Sequence, residues 1–213
     1  MSSKNKRPLI KMILIGDSGV GKSCLMNQFI NKAFVSEYKA TIGADFLTRE
    51  LDVNGDQVAL QVWDTAGHEK FMSFGQAFYR GSECCFLVCD VTNEKSFESL
   101  DTWKAEFIKG ACPSNPSEFP FVVLANKVDE DANTRVVTAQ QLKDWSSRNN
   151  DIPYYETSAK TGMHVEEAFI NVANRVMKAI KKDTSSQPPI ATISLESTTP
   201  QEKPQEPSKN GCC

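Results

Sequence analysis

Residues 16–23 have the residue types and the spacing of a loop that binds phosphate groups. They read Gly-Asp-Ser-Gly-Val-Gly-Lys-Ser, which fits the pattern G-x-x-x-x-G-K-[ST], and they lie between a strand-like run and a helix-like segment, as the pattern requires. The glycines let successive backbone N–H groups point at phosphate oxygens, and the following helix N-terminus adds positive potential. We therefore expect Lys22 to reach the β and γ phosphates of a nucleotide and the Ser23 hydroxyl to bind Mg²⁺.

Residues 64–67, which read Asp-Thr-Ala-Gly, close a predicted strand over 58–63. An aspartate at that place can hold Mg²⁺ through a water molecule. The Gly67 N–H can face the γ phosphate, where a side chain would obstruct the approach. Thr41, in the loop after the first predicted helix, is placed to add a second hydroxyl to the metal. Ser23, Thr41 and Asp64 are therefore the candidate metal ligands.

Residues 126–129, Asn-Lys-Val-Asp, follow a predicted strand over 119–125, at the edge of an open α/β sheet where ligands bind. The Asp129 carboxylate could accept hydrogen bonds from the N1–H and the 2-amino group of guanine. Adenine offers no such pair and would leave the carboxylate unpaired, which is costly. The backbone of residues 158–160, Ser-Ala-Lys, could donate to guanine O6. The order of these segments after the phosphate loop favours a guanine nucleotide.

The elements that must position these residues follow from hydrophobic periodicity. Near-continuous apolar runs suit the strands of a parallel sheet that is covered on both faces, and Asn54-Gly55 predicts a hairpin. The alternation of strands and helices predicts an α/β domain with a mostly parallel sheet. The predicted strands are 9–15, 46–53, 58–63, 84–91, 119–125 and 152–157, and the predicted helices begin near residue 21 or span 69–79, 94–109, 138–148 and 164–182.

The bulk composition excludes several classes of protein. A net charge of -3 argues against a general nucleic-acid-binding protein. No apolar run approaches the roughly 20 residues that span a bilayer. Residues 1–8 lack the apolar region of a secretory signal, so we expect the protein to be made and kept in the cytosol. The cysteines before the tail lack metal-ligand spacing with a histidine and are interpreted as small hydrophobic residues in a reducing compartment: Cys24, Cys84, Cys85, Cys89 and Cys112.

These segments resemble the Ras-like small GTPases over about residues 8–182. Within that family the chain resembles the Rab branch, on residues 42–46 (Ile-Gly-Ala-Asp-Phe), 60–65 (Leu-Gln-Val-Trp-Asp-Thr), 78–81 (Phe-Tyr-Arg-Gly) and 87–91 (Leu-Val-Cys-Asp-Val). Residues 38–48 and 119–127 are most similar to the Rab protein of late endosomes and lysosomes. The resemblance implies a P-loop GTPase fold, with a six-stranded, mostly parallel sheet that has one antiparallel strand and is flanked by five helices.

The resemblance also implies the working parts of the site. Two switch segments, near 34–46 and 64–80, would be ordered by the γ phosphate and released on hydrolysis. Phe34 would pack edge-on against guanine. Phe46, Trp63 and Phe78 match the aromatic triad through which the family meets effectors, although such aromatics could instead be plain core residues. The implied nucleotide-binding residues are Ser18, Gly19, Val20, Gly21, Lys22, Ser23, Cys24, Phe34, Tyr38, Thr41, Gly67, Asn126, Lys127, Asp129, Ser158, Ala159 and Lys160.

One position departs from the family pattern. The family reads Asp-Thr-Ala-Gly-Gln-Glu-Arg-Phe, whereas this chain has His68 in place of the glutamine that orients the attacking water. A rigid imidazole has a different reach, and a protonated one has no acceptor. We therefore expect intrinsic GTP hydrolysis, which would use Lys22, Gly67 and His68, to be slow. Alternatively, His68 is an exposed, tolerated residue, or an activating protein supplies a glutamine in trans.

The C-terminal part of the chain, from about Asp183 to Cys213, is predicted to be a disordered tail. It is rich in proline, serine and threonine and has too little apolar surface to offset its ordering entropy. The terminal Cys212 and Cys213 resemble the Rab form in which both thiols carry geranylgeranyl groups. The tail is net acidic and offers no polybasic patch, so two lipids are the expected anchor.

The leading interpretation is a Rab-type switch that hydrolyses GTP and regulates vesicle traffic on the cytoplasmic face of late endosomal, lysosomal or related membranes, with a cytosolic pool. Mg²⁺ and GTP or GDP are the implied cofactors. The implied partners are effectors, an exchange factor, a GTPase-activating protein, a dissociation inhibitor and the prenylation machinery, and the protein is expected to be a monomer. A rival interpretation is a nucleotide-dependent binding module that hardly hydrolyses GTP. A third is an adenine-nucleotide enzyme, for which Asp129 would have to lie away from the base.

Overall fold

A computed structural model describes residues 7–37, 39–67 and 77–186, without the side chains of 183–186. Tyr38, His68, the first part of the helix predicted over 69–79, and the terminal Cys212 and Cys213 therefore lie outside the described residues. From that helix, residues 77–79 form a helical turn.

The described residues form one six-stranded sheet with the order β2-β3-β1-β4-β5-β6. The β2–β3 pair is antiparallel, and the other neighbouring pairs are parallel. Apart from the helical turn at 77–79, the described part of the chain contains five α-helices that flank the sheet, so the predicted fold is confirmed. The strands are β1 (Leu9–Ile15), β2 (Ala44–Val53), β3 (Asp56–Thr65), β4 (Cys84–Asp90), β5 (Phe121–Asn126) and β6 (Tyr154–Thr157); the helices are α1 (Lys22–Asn31), α2 (Glu94–Glu98), α3 (Leu100–Ala111), α4 (Ala139–Arg148) and α5 (Val165–Ser186).

The sheet separates two hydrophobic clusters, because successive side chains of a strand point to opposite faces. On β1, Met12 and Leu14 pack in the cluster beneath α1 and α5, whereas Ile13 and Ile15 pack in the cluster beneath α2, α3 and α4. Every residue of β4 is buried, as expected for a central parallel strand covered on both faces.

Several observed boundaries differ from the predicted ones; β2 begins at Ala44 rather than at residue 46, and β3 spans Asp56–Thr65 rather than 58–63. The helix predicted over 94–109 is divided at Ser99, which keeps a right-handed helical conformation, and it continues to Ala111. The strands predicted from 119 and 152 begin later, directly after Pro120 and Pro153, because proline cannot donate to the ladder. Helix α5 extends to Ser186, so residues 183–186, which were predicted to belong to the tail, are helical.

Within the described ranges, no helix combines the length and the apolar character that a bilayer crossing demands.

Candidate nucleotide site

The carboxyl ends of β1, β3, β5 and β6 meet at one edge of the sheet, because these strands run parallel. The loops that follow them, together with the loop between α1 and β2, surround a cavity of about 410 Å³. The predicted nucleotide-binding residues that line it are Ser18, Gly19, Gly21, Lys22, Ser23, Cys24, Phe34, Thr41, Gly67, Asn126, Lys127, Asp129, Ala159 and Lys160.

Two predicted residues lie behind this lining. Val20 is buried in the core, so it can face a ligand only through its backbone, and Ser158 is fully buried. Sequence reasoning also missed several lining residues, most of which adjoin a predicted one along the chain and could have been found from that proximity. They are Asn27, Val35, Ser36, Glu37, Lys39, Thr65 and Glu130.

The phosphate loop passes so close to the neighbouring strands that glycine is required at Gly16 and Gly21. A Cβ on Gly16, whose φ is +148°, would lie 2.2 Å from the Val88 carbonyl oxygen. A Cβ on Gly21, whose φ is +98°, would lie 2.3 Å from Nδ2 of Asn126. The loop backbone therefore rests directly on β4 and β5. Because α1 begins at Lys22, the free N–H groups of its first turn lie at this loop.

Lys22 spans the phosphate loop from inside the cavity. Its Nζ donates hydrogen bonds to the carbonyl oxygens of Gly16 and Asp17, at 2.7 and 2.8 Å. Burial lowers the pKa of Lys22 to about 8, against the opposing effect of the Asp64 and Asp17 carboxylates. A phosphate would give this amine an anionic partner and favour its charged form.

A cluster of hard oxygen ligands lies at the end of β3. Oδ2 of Asp64 accepts hydrogen bonds from Ser23 Oγ at 2.6 Å and from Thr41 Oγ1 at 3.0 Å. The other carboxylate oxygen, Oδ1, is buried and has no hydrogen-bond partner among the described residues. A buried carboxylate oxygen that lacks a partner and lies beside two hydroxyls suits a small divalent cation such as Mg²⁺.

The effect of burial on the pKa of Asp64 agrees with a cation-binding role for this carboxylate. Burial raises the pKa of Asp64, although the hydrogen bonds from Ser23 and Thr41 and the charge of Lys22 act in the opposite direction. A cation bound at this place would remove the cost of the buried negative charge. The three predicted metal-binding residues are thus brought together within hydrogen-bond distance of one another.

Asn126, the last residue of β5, connects two loops of the site to the end of the sheet. Its Nδ2 donates to the Val20 carbonyl oxygen at 2.8 Å, and its Oδ1 accepts from the Ala159 N–H at 3.1 Å and from the Thr157 hydroxyl at 3.4 Å. The side chain is only 1% exposed. Asn126 therefore fixes the phosphate loop and the loop after β6 relative to the end of β5.

The carboxylate of Asp129 is ordered at the wall of the cavity. It accepts a hydrogen bond from the Ser158 hydroxyl at 2.6 Å, and Lys160 Nζ lies 3.7 Å from its other oxygen. Lys127 has a left-handed backbone, with φ at +72°, and its Nζ lies 2.7 Å from Oδ2 of Asp90. An oriented carboxylate of this kind can accept two parallel N–H donors from the edge of a base.

Gly67, two residues after the end of β3, lies directly against the phosphate loop. A Cβ there would lie 2.5 Å from Lys22 Nζ and from the Ser18 backbone nitrogen. This agrees with the sequence-based inference that a side chain at Gly67 would obstruct the approach to a phosphate.

The three aromatic residues predicted to meet effectors form a continuous stack next to the site. The ring centroids of Phe46 and Trp63 are 4.8 Å apart, and those of Trp63 and Phe78 are 5.8 Å apart. Trp63 and Phe78 pack partly against the core, whereas Phe46 is 45% exposed. Lys11 Nζ lies 4.6 Å from the Trp63 ring centroid and donates to the Phe78 carbonyl oxygen. The alternative of plain core residues does not fit Phe46.

Comparison with known proteins decides the family. A family model described as the Ras family matches residues 11–178. The chain belongs to the Ras family. It is 49% identical over its whole length to the GTP-binding protein yptV5 of Volvox carteri, which it covers completely. It is 50% identical to the Ras-related protein Rab-7a of Dictyostelium discoideum over 98% of each chain. It is 54% identical to the Ras-related protein RABG3f of Arabidopsis thaliana, over 82% of this chain and 85% of the relative.

As a Rab-type member of the Ras family, the protein binds GTP and GDP, hydrolyses GTP to GDP and acts as a switch in vesicle trafficking. The cavity described above, with its phosphate loop, its oxygen cluster and its ordered Asp129, is the candidate site for that chemistry.

Proposed function

We propose that this Rab-type GTPase couples the nucleotide in the cavity to the aromatic stack outside it. The observation that carries the proposal is the contact between Thr41 and Asp64. Thr41 precedes Phe46 on one segment, and Asp64 follows Trp63 on another. Any ligand that holds Thr41 and Asp64 together also restrains the two segments that present Phe46 and Trp63.

In this proposal, Ser23, Thr41 and Asp64 hold Mg²⁺. When bound, the cation would neutralise the negative charge of the phosphate groups. Asp64 contributes a buried carboxylate oxygen that has no other partner among the described residues. Ser23 supplies a hydroxyl from α1, and Thr41 supplies one from the loop before β2.

The roles of the remaining site residues follow from their positions. Lys22 would neutralise the outer phosphates, and the Gly67 N–H would face the γ phosphate. Asp129 would read guanine, and residues 158–160 would donate to its O6. Replacing Asp129 by asparagine should shift the preference from guanine towards xanthine nucleotides. An unchanged preference for guanine would show that Asp129 does not read the base.

Hydrolysis is proposed to be slow unless an activating protein assists, because His68 stands where the family has glutamine. The test is to load the protein with GTP and to follow phosphate release in a single turnover, with and without an activating protein that supplies a glutamine in trans. His68→Gln should speed the unassisted reaction, whereas the rate in the presence of the activating protein should be similar in both forms. A glutamine variant that is no faster would refute the role given to His68.

The rival function, a binding module that persists in the GTP state, makes a different prediction in the same experiment. If the activating protein does not stimulate release, the switch must be controlled by nucleotide exchange and membrane extraction. Rapid stimulated release would instead establish an ordinary timed switch.

Residues 8–182 are proposed to form the GTPase domain, and residues 183–213 a tether with lipids on Cys212 and Cys213. The protein would then lie on the cytoplasmic face of late endosomal or lysosomal membranes and exchange with a cytosolic pool bound to a dissociation inhibitor. Two chains should hold it stably, since one lipid binds a membrane only marginally. Prenylated protein should therefore remain on liposomes, whereas Cys212→Ser and Cys213→Ser variants should dissociate quickly. Equal retention of these variants would contradict the two-lipid anchor.

A further inference from the structure

The carboxylate of Asp17, the second residue of the phosphate loop, is held against α3. Its Oδ1 accepts a hydrogen bond from Trp103 Nε1 at 2.7 Å. Ser99 Oγ lies 3.0 Å from its Oδ2 and shares its one proton between this oxygen and the Lys95 carbonyl oxygen, which is 2.9 Å away. Ser99 directly precedes α3, and Trp103 lies one turn further on and is 2% exposed. This half-buried carboxylate is thus held by two groups at the start of α3.

The backbone and the side chain of Asp17 serve different parts of the molecule. The Asp17 carbonyl oxygen accepts a hydrogen bond from Lys22 Nζ at 2.8 Å. The residues that line the cavity next to it are Ser18 and Gly19, whereas the Asp17 carboxylate lies behind the loop, among α3 and the core. Without its two donors, the side chain would be free to turn towards the cavity.

A carboxylate that turned towards the cavity would oppose phosphate binding in two ways. It would bring a negative charge near the phosphates, and it would compete with them for the ammonium group of Lys22. The Lys22 ammonium group is within reach, since its Nζ lies 2.8 Å from the carbonyl oxygen of Asp17 itself. The opposition should grow with the number of charged phosphates on the nucleotide.

We propose that Trp103 and Ser99 are positioning residues for nucleotide binding, which hold the Asp17 carboxylate away from the phosphates. This inference rests on the proposed nucleotide site. It assigns the start of α3 a role in phosphate recognition, although neither side chain lines the cavity. The competing explanation is that these hydrogen bonds only tie the loop to the core and so contribute to stability alone.

The test compares two buried tryptophans of the same hydrophobic cluster. Trp103→Phe removes the donor to Asp17, whereas Trp145→Phe removes an indole N–H that has no hydrogen-bond partner among the described residues. Affinities for GMP, GDP and GTP are measured by competition against a fluorescent GDP at one magnesium concentration. Relative to Trp145→Phe, we expect Trp103→Phe to weaken GTP binding about tenfold, GDP binding less, and GMP binding least, since a hydrogen bond to a charged group is lost.

A second change separates charge from packing. Adding Asp17→Asn to Trp103→Phe removes the charge and should restore the GTP affinity to within about threefold of the control. Ser99→Ala, a small change before α3, should weaken the binding of GTP, GDP and GMP in the same order but by smaller factors. It replaces Trp103→Phe in the test if that variant does not fold.

Three results would overturn the inference: an equal loss of affinity for the three nucleotides, no loss in Trp103→Phe or Ser99→Ala, or no restoration by Asp17→Asn. If the unmodified protein bound none of the three nucleotides, the proposed site itself would fail, and the two failures are therefore distinguishable.

Discussion

Replacing Asn126 by alanine should loosen the whole nucleotide site, because one buried amide joins two of its loops to the ends of β5 and β6. The substitution removes the hydrogen bonds to the Val20 carbonyl oxygen and from the Ala159 N–H, and a longer one from the Thr157 hydroxyl. Val20 and Ala159 are 1% and 4% exposed, so the freed groups would find little water. Each buried group without a partner costs roughly 1–3 kcal/mol, so the expected loss in the free energy of unfolding is about 3 kcal/mol.

The loss in the free energy of unfolding is measured by urea unfolding of the nucleotide-free protein, and the rate of GDP dissociation is measured separately. Asn149→Ala is the matched control, since Asn149 also makes side-chain hydrogen bonds, to Lys104 and to the Trp145 carbonyl oxygen, but it is partly exposed and does not line the nucleotide cavity. We expect the control to lose about 1 kcal/mol and to keep its GDP dissociation rate. Asn126→Ala should release GDP at least about tenfold faster, because the phosphate loop and the loop after β6 lose their common support.

Asn126→Asp sharpens the test. It keeps the acceptor for the Ala159 N–H but places a carboxylate oxygen opposite the Val20 carbonyl oxygen, where the amide donates at 2.8 Å. At neutral pH this variant should be less stable than Asn126→Ala, and the deficit should shrink in acid as the carboxylate becomes protonated and can donate. If Asn126→Ala unfolds within about 0.5 kcal/mol of the parent protein, the reasoning from these hydrogen bonds is wrong.

Three further predictions concern the phosphates and the cation. Burial raises the pKa of Asp64, so protonated Asp64 stabilises the nucleotide-free protein at low pH, and this contribution is lost as the pH rises through the raised pKa. The affinity for Mg²⁺ should fall as the pH drops through the same pKa. Asp64→Asn should flatten the dependence of Mg²⁺ affinity on pH. Because burial lowers the pKa of Lys22 to about 8, Lys22 should take up a proton when a nucleotide binds above that pH. The proton uptake is measured by comparing binding enthalpies in two buffers of different ionisation enthalpy, and Lys22→Met should abolish it. Gly67→Ala should slow hydrolysis while GDP affinity changes less than about threefold, since the new Cβ would lie 2.5 Å from Lys22 Nζ. Unchanged hydrolysis would show that the close approach of the residue 67 backbone to the phosphate loop is not needed.

The sequence predicted those parts of the sheet and of the candidate site whose residue pattern lies within one short segment of the chain. The phosphate loop is recognisable within eight residues because the glycines, the lysine and the serine act on one ligand from one turn. The order of apolar runs predicted the parallel strands, and the parallel strands predicted that their terminal residues would meet at one edge. Neighbouring lining residues such as Glu37 and Thr65 escaped notice because nothing in their type distinguishes them from ordinary loop residues.

The family, the guanine preference and the candidate metal ligands were thus determined by the sequence alone, through short patterns whose chemistry is complete in a few residues. The tertiary structure decided which distant groups support them: Trp103 holds Asp17 across 86 residues, and Asn126 holds Val20 across 106. It also decided that Val20 packs in the core and that Ser158 is buried behind Asp129, while Phe46 remains exposed. The physical reason is that a hydrogen bond or a buried face depends on which strands become neighbours, and no pattern within a single segment records that pairing.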